Sequence, residues 1–375
     1  MSIEIHPQFK LNGFSFDNDG LKEVGYSLVK EGDIYEQSIG DFLLEWCNDY
    51  SSISVKTSGS TGNPKQISLQ KRHMVNSSLA TGAFFELEPG SSALHCLPTD
   101  FIAGKMMLVR AMVLGLELDY VAPSSRPLDF VSKTYDFCAM VPFQLENSME
   151  KIDTIKTLIV GGAPMSANLK ELVRNKKTNV YETYGMTETI THIAVKSINN
   201  VRSSLSKEPV PSTVEVLKTG SVETSFKTLP KVKISTDERN CLIINAPHIS
   251  DNPVVTNDVV NLISENEFDW LGRFDNIINS GGIKLFPEQI EAKLTGMVEN
   301  RFFVTGLPDE KLGHRLVLVV EGNIDVETLF QKVKSTSALE KFEIPKEIYT
   351  VSEFISASNN KILRKETLQA VLGTK

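Results

Sequence analysis

Strand-length apolar segments alternate with helix-length segments through the first two-thirds of the 375-residue chain. The runs SALHCLP (92–98) and DFCAMVP (136–142) have the length of strands, whereas GKMMLVRAMVLG (104–115) has the length of a helix. This alternation predicts an α/β fold with parallel strands, since each intervening helix returns the chain to the same end of the sheet. Ligands bind such sheets at loops that follow the carboxyl ends of the strands.

Later in the chain the pattern changes to short strands, such as TVEVLKTGSV (213–222) and CLIINAP (241–247), which predict a β-rich subdomain. A further break falls in DWLGRFDNIINSGG (269–282). Beyond it, two strands, a helix, a strand and a last helix predict a small α+β domain of about one hundred residues. We therefore expect a large domain over residues 1–273 and a small domain over residues 274–375.

The composition limits the partners of the chain. Its 39 basic and 47 acidic residues give a net charge of −8, which argues against binding along a nucleic-acid backbone. The most apolar long stretch, residues 101–121, carries four charged side chains and so does not predict a membrane span. Four scattered cysteines and an N-terminus without an apolar signal region predict a protein of the cytoplasm.

A loop rich in glycine and hydroxyl groups, TSGSTGNPK (57–65), follows a predicted strand. It is not a P-loop, because proline rather than glycine precedes the lysine. Its glycines permit close backbone approach, its hydroxyl groups can donate hydrogen bonds and its lysine adds a positive charge. The loop is either a solvated turn or an anion site, and the helix after it favours the anion site. The candidate contacts are Thr57, Ser58, Gly59, Ser60, Thr61, Gly62 and Lys65.

A second motif, YETYGMTET (181–189), ends another predicted strand. Tyr184 could stack on a purine, Thr187 could bond a phosphate oxygen and Glu188 could hold Mg²⁺. The alternative is an ordinary strand end with a capping threonine and a first-turn glutamate. Upstream, IVGGAP (159–164) is a strand ending in glycines, where the backbone can approach a flat ligand.

Together these segments resemble the adenylate-forming superfamily, which includes acyl-CoA synthetases, adenylation domains of peptide synthetases and luciferases. Seven segments match in the order of that family, between residue 57 and about residue 367, although the sequence has TND where the family usually has T-G-D. The matches are the phosphate loop (57–65), the adenine-side Gly161, Gly162, Ala163 and Pro164, the Y-G-x-T-E motif of Tyr184, Gly185, Met186, Thr187 and Glu188, the ribose-side Asp258 and Arg273, the hinge Asp275, the thiol-tunnel Ser280, Gly281 and Gly282, and the catalytic Lys361.

The resemblance implies an acid–thiol ligase that uses ATP, Mg²⁺ and CoA. A carboxylate would attack the α-phosphorus of ATP to give an acyl-adenylate, and a thiol would then take the acyl group with release of AMP. Lys361 and Thr187 would contact the α-phosphate, and Glu188 would hold Mg²⁺. The small domain would swing about Asp275 between the two steps. Because only 56 residues precede Thr57, the first subdomain is expected to be shorter than is usual in the family.

Residues 97–118 resemble a segment of the o-succinylbenzoate–CoA ligases of menaquinone synthesis, which makes o-succinylbenzoate the best-guess acid. This acid keeps a second carboxylate after activation, so its pocket should offer a cation. Lys105 and Arg110 are the candidates, but five residues apart on a helix they point about 140° from each other. We expect at most one of them to face the pocket, and the alternative is that both lie on a solvated face. His192 could line the acyl pocket.

The acid and the acceptor stay open at this point. Another aryl or acyl acid, or the phosphopantetheine arm of a carrier protein, would use the same chemistry. A nucleotide-binding regulator without catalysis is the alternative from a different class, and the presence of Lys361, Glu188 and Thr187 together argues against it. The resemblance also allows for a homodimer.

Overall fold

The structure is a computed structural model that describes residues 5–57, 65–199, 225–356 and 362–373. Its helices are α1 (Asn18–Glu31), α2 (Ile34–Trp46), α3 (Lys71–Phe85), α4 (Ile102–Leu114), α5 (Pro142–Asn147), α6 (Ala167–Val173), α7 (Pro287–Leu294), α8 (Val326–Ser335) and α9 (Arg364–Gly373). Its strands are β1 (Lys10–Leu11), β2 (Phe14–Ser15), β3 (Ser52–Thr57), β4 (Lys65–Gln70), β5 (Ser92–His95), β6 (Glu117–Tyr120), β7 (Tyr135–Met140), β8 (Ile155–Val160), β9 (Asn179–Gly185), β10 (His192–Ser197), β11 (Phe226–Thr228), β12 (Lys233–Thr236), β13 (Cys241–Asn245), β14 (Val254–Ser264), β15 (Glu267–Arg273), β16 (Ile278–Ser280), β17 (Ile283–Leu285), β18 (Phe302–Asp309), β19 (Gly313–Glu321) and β20 (Glu347–Val351).

Parallel strands form the centre of the first sheet, in the order β6-β5-β7-β8-β9. Helix α4 connects β5 to β6, α5 connects β7 to β8, and α6 connects β8 to β9. Because these strands run in one direction, the loops after them lie along a single edge of the sheet. The α/β fold predicted from the alternation of strands and helices is therefore confirmed.

The short strands of the second half continue this sheet. Strand β10 pairs antiparallel with β9, and the order then runs β10-β11-β15-β14-β13-β12. With β1 and β2 at the other edge, the described residues form a sheet of 13 strands. The β-rich region predicted from the sequence is thus joined to the parallel region by hydrogen bonds. The strand predicted at 213–222 lies outside the described residues.

The strand before the loop at 57–65 is not part of the parallel series. Strands β3 and β4 form a separate antiparallel hairpin, in which Thr57 pairs with Lys65. The helix predicted after this loop is α3, and it begins only at Lys71, because residues 65–70 form β4. Apolar side chains alternate along both strands, which favours the pairing over a longer helix.

Helix α4 lies in the interior of the large unit. All residues from 104 to 112 are buried, and Gly104 lets the first turn pass close to the carbonyl of Pro98. Each fully buried leucine or methionine contributes about 1.5–3 kcal/mol relative to an exposed one. Because α4 is buried on every side, Lys105 and Arg110 also lie in the interior, where an unpaired charge is costly.

The C-terminal residues form a second sheet, in the order β17-β16-β19-β18, with β20 parallel to β19. Two apolar clusters lie in this region, one around Leu318 and Ile290 and the other around Phe303 and Tyr349. Because Leu318 and Val319 are neighbours on β19 and belong to different clusters, the sheet is covered on both faces. A unit of this kind matches the small α+β domain expected after residue 273, whose boundary stays a prediction.

Two further observations bear on the class of protein. In the described parts of the chain, no helix is both long and apolar enough to cross a membrane. The four cysteines are buried and none of them is in a disulfide.

Candidate active site

Three side chains from three strands meet at the carboxyl end of β9. Tyr184 donates a hydrogen bond from its hydroxyl to Asp258 Oδ2 at 2.7 Å, although the two residues are 74 positions apart in the sequence. Asp258 Oδ1 lies 3.6 Å from Arg273 Nη1. The structure thus brings together the residue predicted to stack on adenine and the two residues predicted to contact ribose.

The strands explain this meeting. Asp258 on β14 and Arg273 on β15 are direct partners in the antiparallel pair, so their side chains lie side by side. The ring of Tyr184 packs edge-on against Phe268, with 5.1 Å between the ring centroids. Asp258 is 6% exposed. Burial, and then the negative charge of Asp258, raise the pKa of Tyr184 well above its ordinary value, so its hydroxyl stays a donor.

The cluster extends to the connection between the two sheets. Arg273 Nη2 lies 3.3 Å from Asp275 Oδ2, so this arginine contacts two carboxylates at once. Asp275 Oδ2 also accepts a hydrogen bond from Asn257 Nδ2 at 3.3 Å. The predicted hinge residue is therefore linked to the predicted ribose site through a single guanidinium.

The glycine segment after β8 lies beside the end of β9, because the two strands are parallel neighbours. A Cβ at Gly161 would overlap the hydroxyl of Thr183, and Gly162 has φ +84°, which disfavours other residues. Gly162, Ala163 and Pro164 are exposed. These residues offer an open backbone surface next to Tyr184, as the adenine-side prediction requires.

An ion triad centred on the buried Glu182 fixes this glycine segment. Glu182 accepts a hydrogen bond from the Met165 amide at 2.8 Å, and its other oxygen lies 2.9 Å from Lys170 Nζ and 3.1 Å from Lys196 Nζ. Burial alone would raise the pKa of Glu182, but Lys196, Lys170 and the amide together lower it. The carboxylate therefore stays ionised and holds the end of the segment in place.

The loop after β9 turns sharply. Thr189 Oγ1 accepts a hydrogen bond from the Met186 amide at 3.1 Å, and Thr189 O accepts one from the Thr191 amide at 2.7 Å. The second bond spans two residues and closes a γ-turn at Ile190, whose φ of +66° and ψ of −58° are strained for a β-branched side chain. Thr187 is half-buried and Glu188 is exposed on this loop, so both can reach a ligand.

A buried cation lies just behind this loop. Arg110 on α4 is 1% exposed and donates from Nη2 to Thr191 Oγ1 at 3.2 Å. No carboxylate of the described residues forms an ion pair with it, and its Nε has no hydrogen-bond partner. Burial lowers the pKa of Arg110 to about 10. An arginine desolvated to this extent is costly unless an anion pairs with it.

His192 follows Thr191 and is 5% exposed. Its Nε2 has no hydrogen-bond partner, and its ring lies 6.3 Å from the ring of Phe85, centroid to centroid. Burial and the nearby charge of Arg110 lower the pKa of His192 well below its ordinary value, so the imidazole is neutral. Arg110, Thr191 and His192 thus form a polar cluster, and Phe85 and Tyr181 pack beside it with ring centroids 5.1 Å apart.

Lys105 points elsewhere. Its Nζ lies 4.8 Å from the ring centroid of Phe42 on α2, and its side chain is 9% exposed. The alternative that both Lys105 and Arg110 lie on a solvated face is therefore wrong, because α4 is buried all round. The structure brings Arg110, and not Lys105, to His192. Sequence reasoning missed Thr191, since a lone threonine after the motif carries no signal of its own.

Several predicted site residues lie elsewhere or outside the described residues. Thr57 and Lys65 are described only as the paired backbone ends of the β3–β4 hairpin. Among the thiol-tunnel residues, Ser280 lies on the second sheet and pairs with Gly313. Gly281 and Gly282 form the turn between β16 and β17, where the Gly281 amide donates to Leu312 O at 2.8 Å. The predicted residues outside the described ranges are Ser58, Gly59, Ser60, Thr61, Gly62 and Lys361.

Comparison with known proteins identifies the family of the chain. Residues 56–222 match the family model of the AMP-binding enzyme. A solved structure of an acyl-CoA synthetase (AMP-forming)/AMP-acid ligase II-like protein from Dyadobacter fermentans is 32% identical, with a TM-score of 0.59 over 93% of this chain and 98% of that one. The chain belongs to the AMP-binding enzyme family, and it is an enzyme of the AMP-forming acid–thiol ligase class.

Relatives that are named for a particular substrate are less similar to this chain in sequence. A 2-succinylbenzoate–CoA ligase from Bacillus cereus is 24% identical over 377 residues, which cover 95% of this chain and 77% of the relative. The o-succinylbenzoate coenzyme A synthetase of Bacillus subtilis, solved with ATP and magnesium ion, is 21% identical, with a TM-score of 0.68 over 84% of this chain and 69% of that one. At this identity the solved structure supports the fold.

Proposed function

We propose that the protein joins o-succinylbenzoate to CoA at the expense of ATP, with AMP and pyrophosphate as the other products. The observation that carries the choice of acid is Arg110, a buried guanidinium without a carboxylate partner among the described residues. The alternative is another aryl or acyl acid, or a carrier protein as the acceptor. We expect the reaction to take place in the cytoplasm, and the resemblance allows for a homodimer.

ATP binds, in this proposal, along the edge formed by β8, β9 and β14. Adenine lies between Tyr184 and the segment Gly161, Gly162, Ala163 and Pro164, since an exposed glycine backbone and an aromatic ring both suit a flat base. The ribose hydroxyls donate to Asp258, whose carboxylate is already oriented by Tyr184 and Arg273. Gly185 and Met186 place the following Thr187 toward the phosphates. The polyphosphate lies against the loop Thr57–Lys65, as the resemblance implies.

The first step makes the acyl-adenylate. A carboxylate oxygen of the acid attacks the α-phosphorus, a new P–O bond forms, and the bond to the β-phosphate oxygen breaks as pyrophosphate leaves. Thr187 and Lys361 donate to the α-phosphate, where negative charge develops, and each such donor is worth about 3–4 kcal/mol. In the second step the thiol sulfur of CoA bonds to the acyl carbon, the thiol proton is lost to solvent, and AMP leaves.

The site also suits Mg²⁺. In the described part of the chain no group of three histidine, cysteine or carboxylate side chains could hold a metal ion by itself. Mg²⁺ does not require one, since it commonly takes one carboxylate together with water and substrate phosphates. Glu188 is an exposed carboxylate on the loop that carries Thr187, and it would hold the ion. The ion would neutralise phosphate charge.

The acid lies behind the loop after β9. Its second carboxylate pairs with Arg110, which offsets the cost of burying that guanidinium. Neutral His192 donates from a ring nitrogen to the same carboxylate or to the keto oxygen. The aromatic ring of the acid packs near Phe85 and Tyr181. A monocarboxylic acid would leave Arg110 uncompensated, and this difference supplies the selectivity.

The remaining assignments come from the resemblance. We assign residues 1–273 to the nucleotide-binding domain and residues 274–375 to the domain that carries Lys361. The small domain swings about Asp275 between the two steps, and Ser280, Gly281 and Gly282 then line the path of the CoA thiol. The positive φ angles of Gly281 and Gly282, +58° and +83°, suit a backbone that a thin pantetheine arm passes closely.

An ATP–pyrophosphate exchange screen over carboxylic acids tests the proposal. The panel contains o-succinylbenzoate, benzoate, succinate and 4-phenyl-4-oxobutanoate, which keeps the keto acid chain and lacks the ring carboxylate. We expect exchange with o-succinylbenzoate and little with the other three. Thioester formation is then measured with CoA and with a phosphopantetheinylated carrier protein. Exchange with a monocarboxylic acid alone would refute the choice of acid, and exclusive transfer to the carrier protein would favour the alternative.

A further inference from the structure

A polar cluster surrounds the short connection between the two sheets, which runs from the end of β15 to the start of β16. Asn257 on β14 donates from Nδ2 to Asp275 Oδ2 at 3.3 Å, and Arg239 donates from Nη1 to Asn257 Oδ1 at 3.0 Å. Both polar atoms of the Asn257 side chain are therefore engaged. The sequence has asparagine here between Thr256 and Asp258.

Arg239 is itself held in place. It lies in the turn between β12 and β13, where its Nε donates to Asp237 Oδ2 at 2.8 Å. Its guanidinium also lies 5.1 Å from the ring centroid of Phe274, within the connection. The turn thus contacts the connection directly at Phe274 and, through Asn257, at Asp275.

Asn257 and Asp258 are consecutive residues of β14, so their side chains leave the strand on opposite faces. Asp258 faces Tyr184 at the nucleotide site, and Asn257 faces Asp275 at the connection. Arg273 joins the two sides, with Oδ1 of Asp258 at 3.6 Å and Oδ2 of Asp275 at 3.3 Å. Asp275 Oδ2 therefore has two partners from the first sheet, and one of them, Arg273, also belongs to the nucleotide site.

We propose that Asn257 is a positioning residue for the two-step reaction. It fixes the Asp275 carboxylate when Arg273 engages the nucleotide, and so it sets the direction of the connection and the orientation of the second sheet. This inference rests on the proposed function, because it assumes two steps that require different orientations. Changing Asn257 should alter the balance between the steps while the affinity for ATP stays the same.

Three variants test the role of Asn257. Asn257→Asp places a carboxylate beside Asp275, which replaces an attraction with a repulsion. The double variant N257D/D275N exchanges donor and acceptor and restores one hydrogen bond between the two positions. The matched control is Asn261→Asp, because Asn261 Nδ2 makes the same kind of exposed bond, at 3.4 Å, to Asp269 on the same pair of strands but away from the connection.

Two half-reactions are measured for each variant: ATP–pyrophosphate exchange with o-succinylbenzoate, and thioester formation from supplied acyl-adenylate and CoA. We expect Asn257→Asp to change the ratio of the two rates by about three- to tenfold with an unchanged KM for ATP. The double variant should return the ratio toward that of the wild type, and Asn261→Asp should leave it unchanged. An unchanged ratio in Asn257→Asp, or no recovery in the double variant, overturns the proposal.

Hydrogen exchange of the peptide that covers residues 274–278 gives a readout that does not depend on activity. The Ile277 amide bonds to Phe274 O at 3.3 Å, and we expect Asn257→Asp to speed its exchange while Asn261→Asp does not. If the wild type fails to exchange pyrophosphate with any acid, the proposed function fails, and this peptide still decides whether Asn257 holds the connection in place. Equal exchange in all variants would count against that role even in an active enzyme.

Discussion

Replacing Arg110 with methionine should separate the stability of the fold from recognition of the acid. Burial lowers the pKa of Arg110 from its ordinary value to about 10, and the residue is 1% exposed. This lowering of the pKa means that the charged form costs the folded state on the order of a few kcal/mol. Methionine is long and uncharged, so it removes this cost, but it also loses the hydrogen bond to Thr191 Oγ1. We therefore expect a net rise in the free energy of unfolding of about 1–3 kcal/mol.

The pH dependence of this cost determines the pH at which stability should be measured. Since the folded-state pKa of Arg110 lies below the unfolded value, the cost is fully present below about pH 10 and fades as the pH rises above that value. Urea denaturation at pH 7 therefore compares the wild type with Arg110→Met where the difference is largest. The activity arm is ATP–pyrophosphate exchange with o-succinylbenzoate, for which kcat/KM should fall by about 10- to 100-fold as a charge-assisted bond is lost.

Lys105→Met is the matched control, because Lys105 is a buried cation on the same helix that faces Phe42. This variant should change stability without changing the choice between o-succinylbenzoate and 4-phenyl-4-oxobutanoate. Arg110→Met should weaken that choice. The reasoning is refuted if Arg110→Met unfolds at lower urea than the wild type, or if both variants lose activity with both acids to the same extent.

Three more predictions concern the nucleotide side. Tyr184→Phe removes the only hydroxyl that bonds Asp258 Oδ2 among the described side chains, and we expect a loss of about 1–3 kcal/mol of stability. AMP should partly restore this stability in a thermal-shift assay, because its ribose hydroxyls replace the missing donor. Glu182→Gln should lower stability at neutral pH and reduce the loss of stability in acid. Because the folded-state pKa of Glu182 is lowered, the stability that this carboxylate contributes is present above pH 4.5 and is lost as the pH falls through the folded-state pKa. Acid titration followed by circular dichroism checks this, and an identical decline in both proteins would contradict it. Lys361→Ala should lower ATP–pyrophosphate exchange by about 10²–10³ and spare thioester formation from supplied acyl-adenylate, whereas equal loss in both assays would remove the lysine from the first step.

The sequence predicted well those features that depend on local pattern. Strand and helix lengths gave the parallel centre of the first sheet, and α8 follows β18 and β19, in the predicted order of two strands and then a helix. Motif order was equally informative, because it pointed to Tyr184, Asp258 and Arg273, which the structure brings together from three strands. The pairing of β3 with β4 was missed, since it depends on which strand each one contacts and period-two patterns do not specify a partner.

The surroundings of individual side chains could not be predicted from the sequence. Helical periodicity showed that Lys105 and Arg110 point apart, but it could not show that α4 is buried on every side. That burial depends on α2, α3 and the sheet, which come from distant parts of the chain. The same limit applies to Asn257, whose place in the TND motif was visible while its contact with Asp275 depended on the β14–β15 register.

The two buried charges of α4 differ in a way that argues for function. Lys105 lies against an aromatic ring and has carboxylates nearby that partly offset its burial, as expected for a cation that the fold itself tolerates. For Arg110 no nearby carboxylate offsets the burial of the charge, and the neighbours of its guanidinium among the described residues are a hydroxyl, a thioether and a neutral imidazole. A fold gains nothing from such a group, because an apolar side chain of similar length would be more stable there. An anion that arrives with the substrate accounts for the arginine, and the acid that brings a second carboxylate to this position is the one the enzyme should prefer.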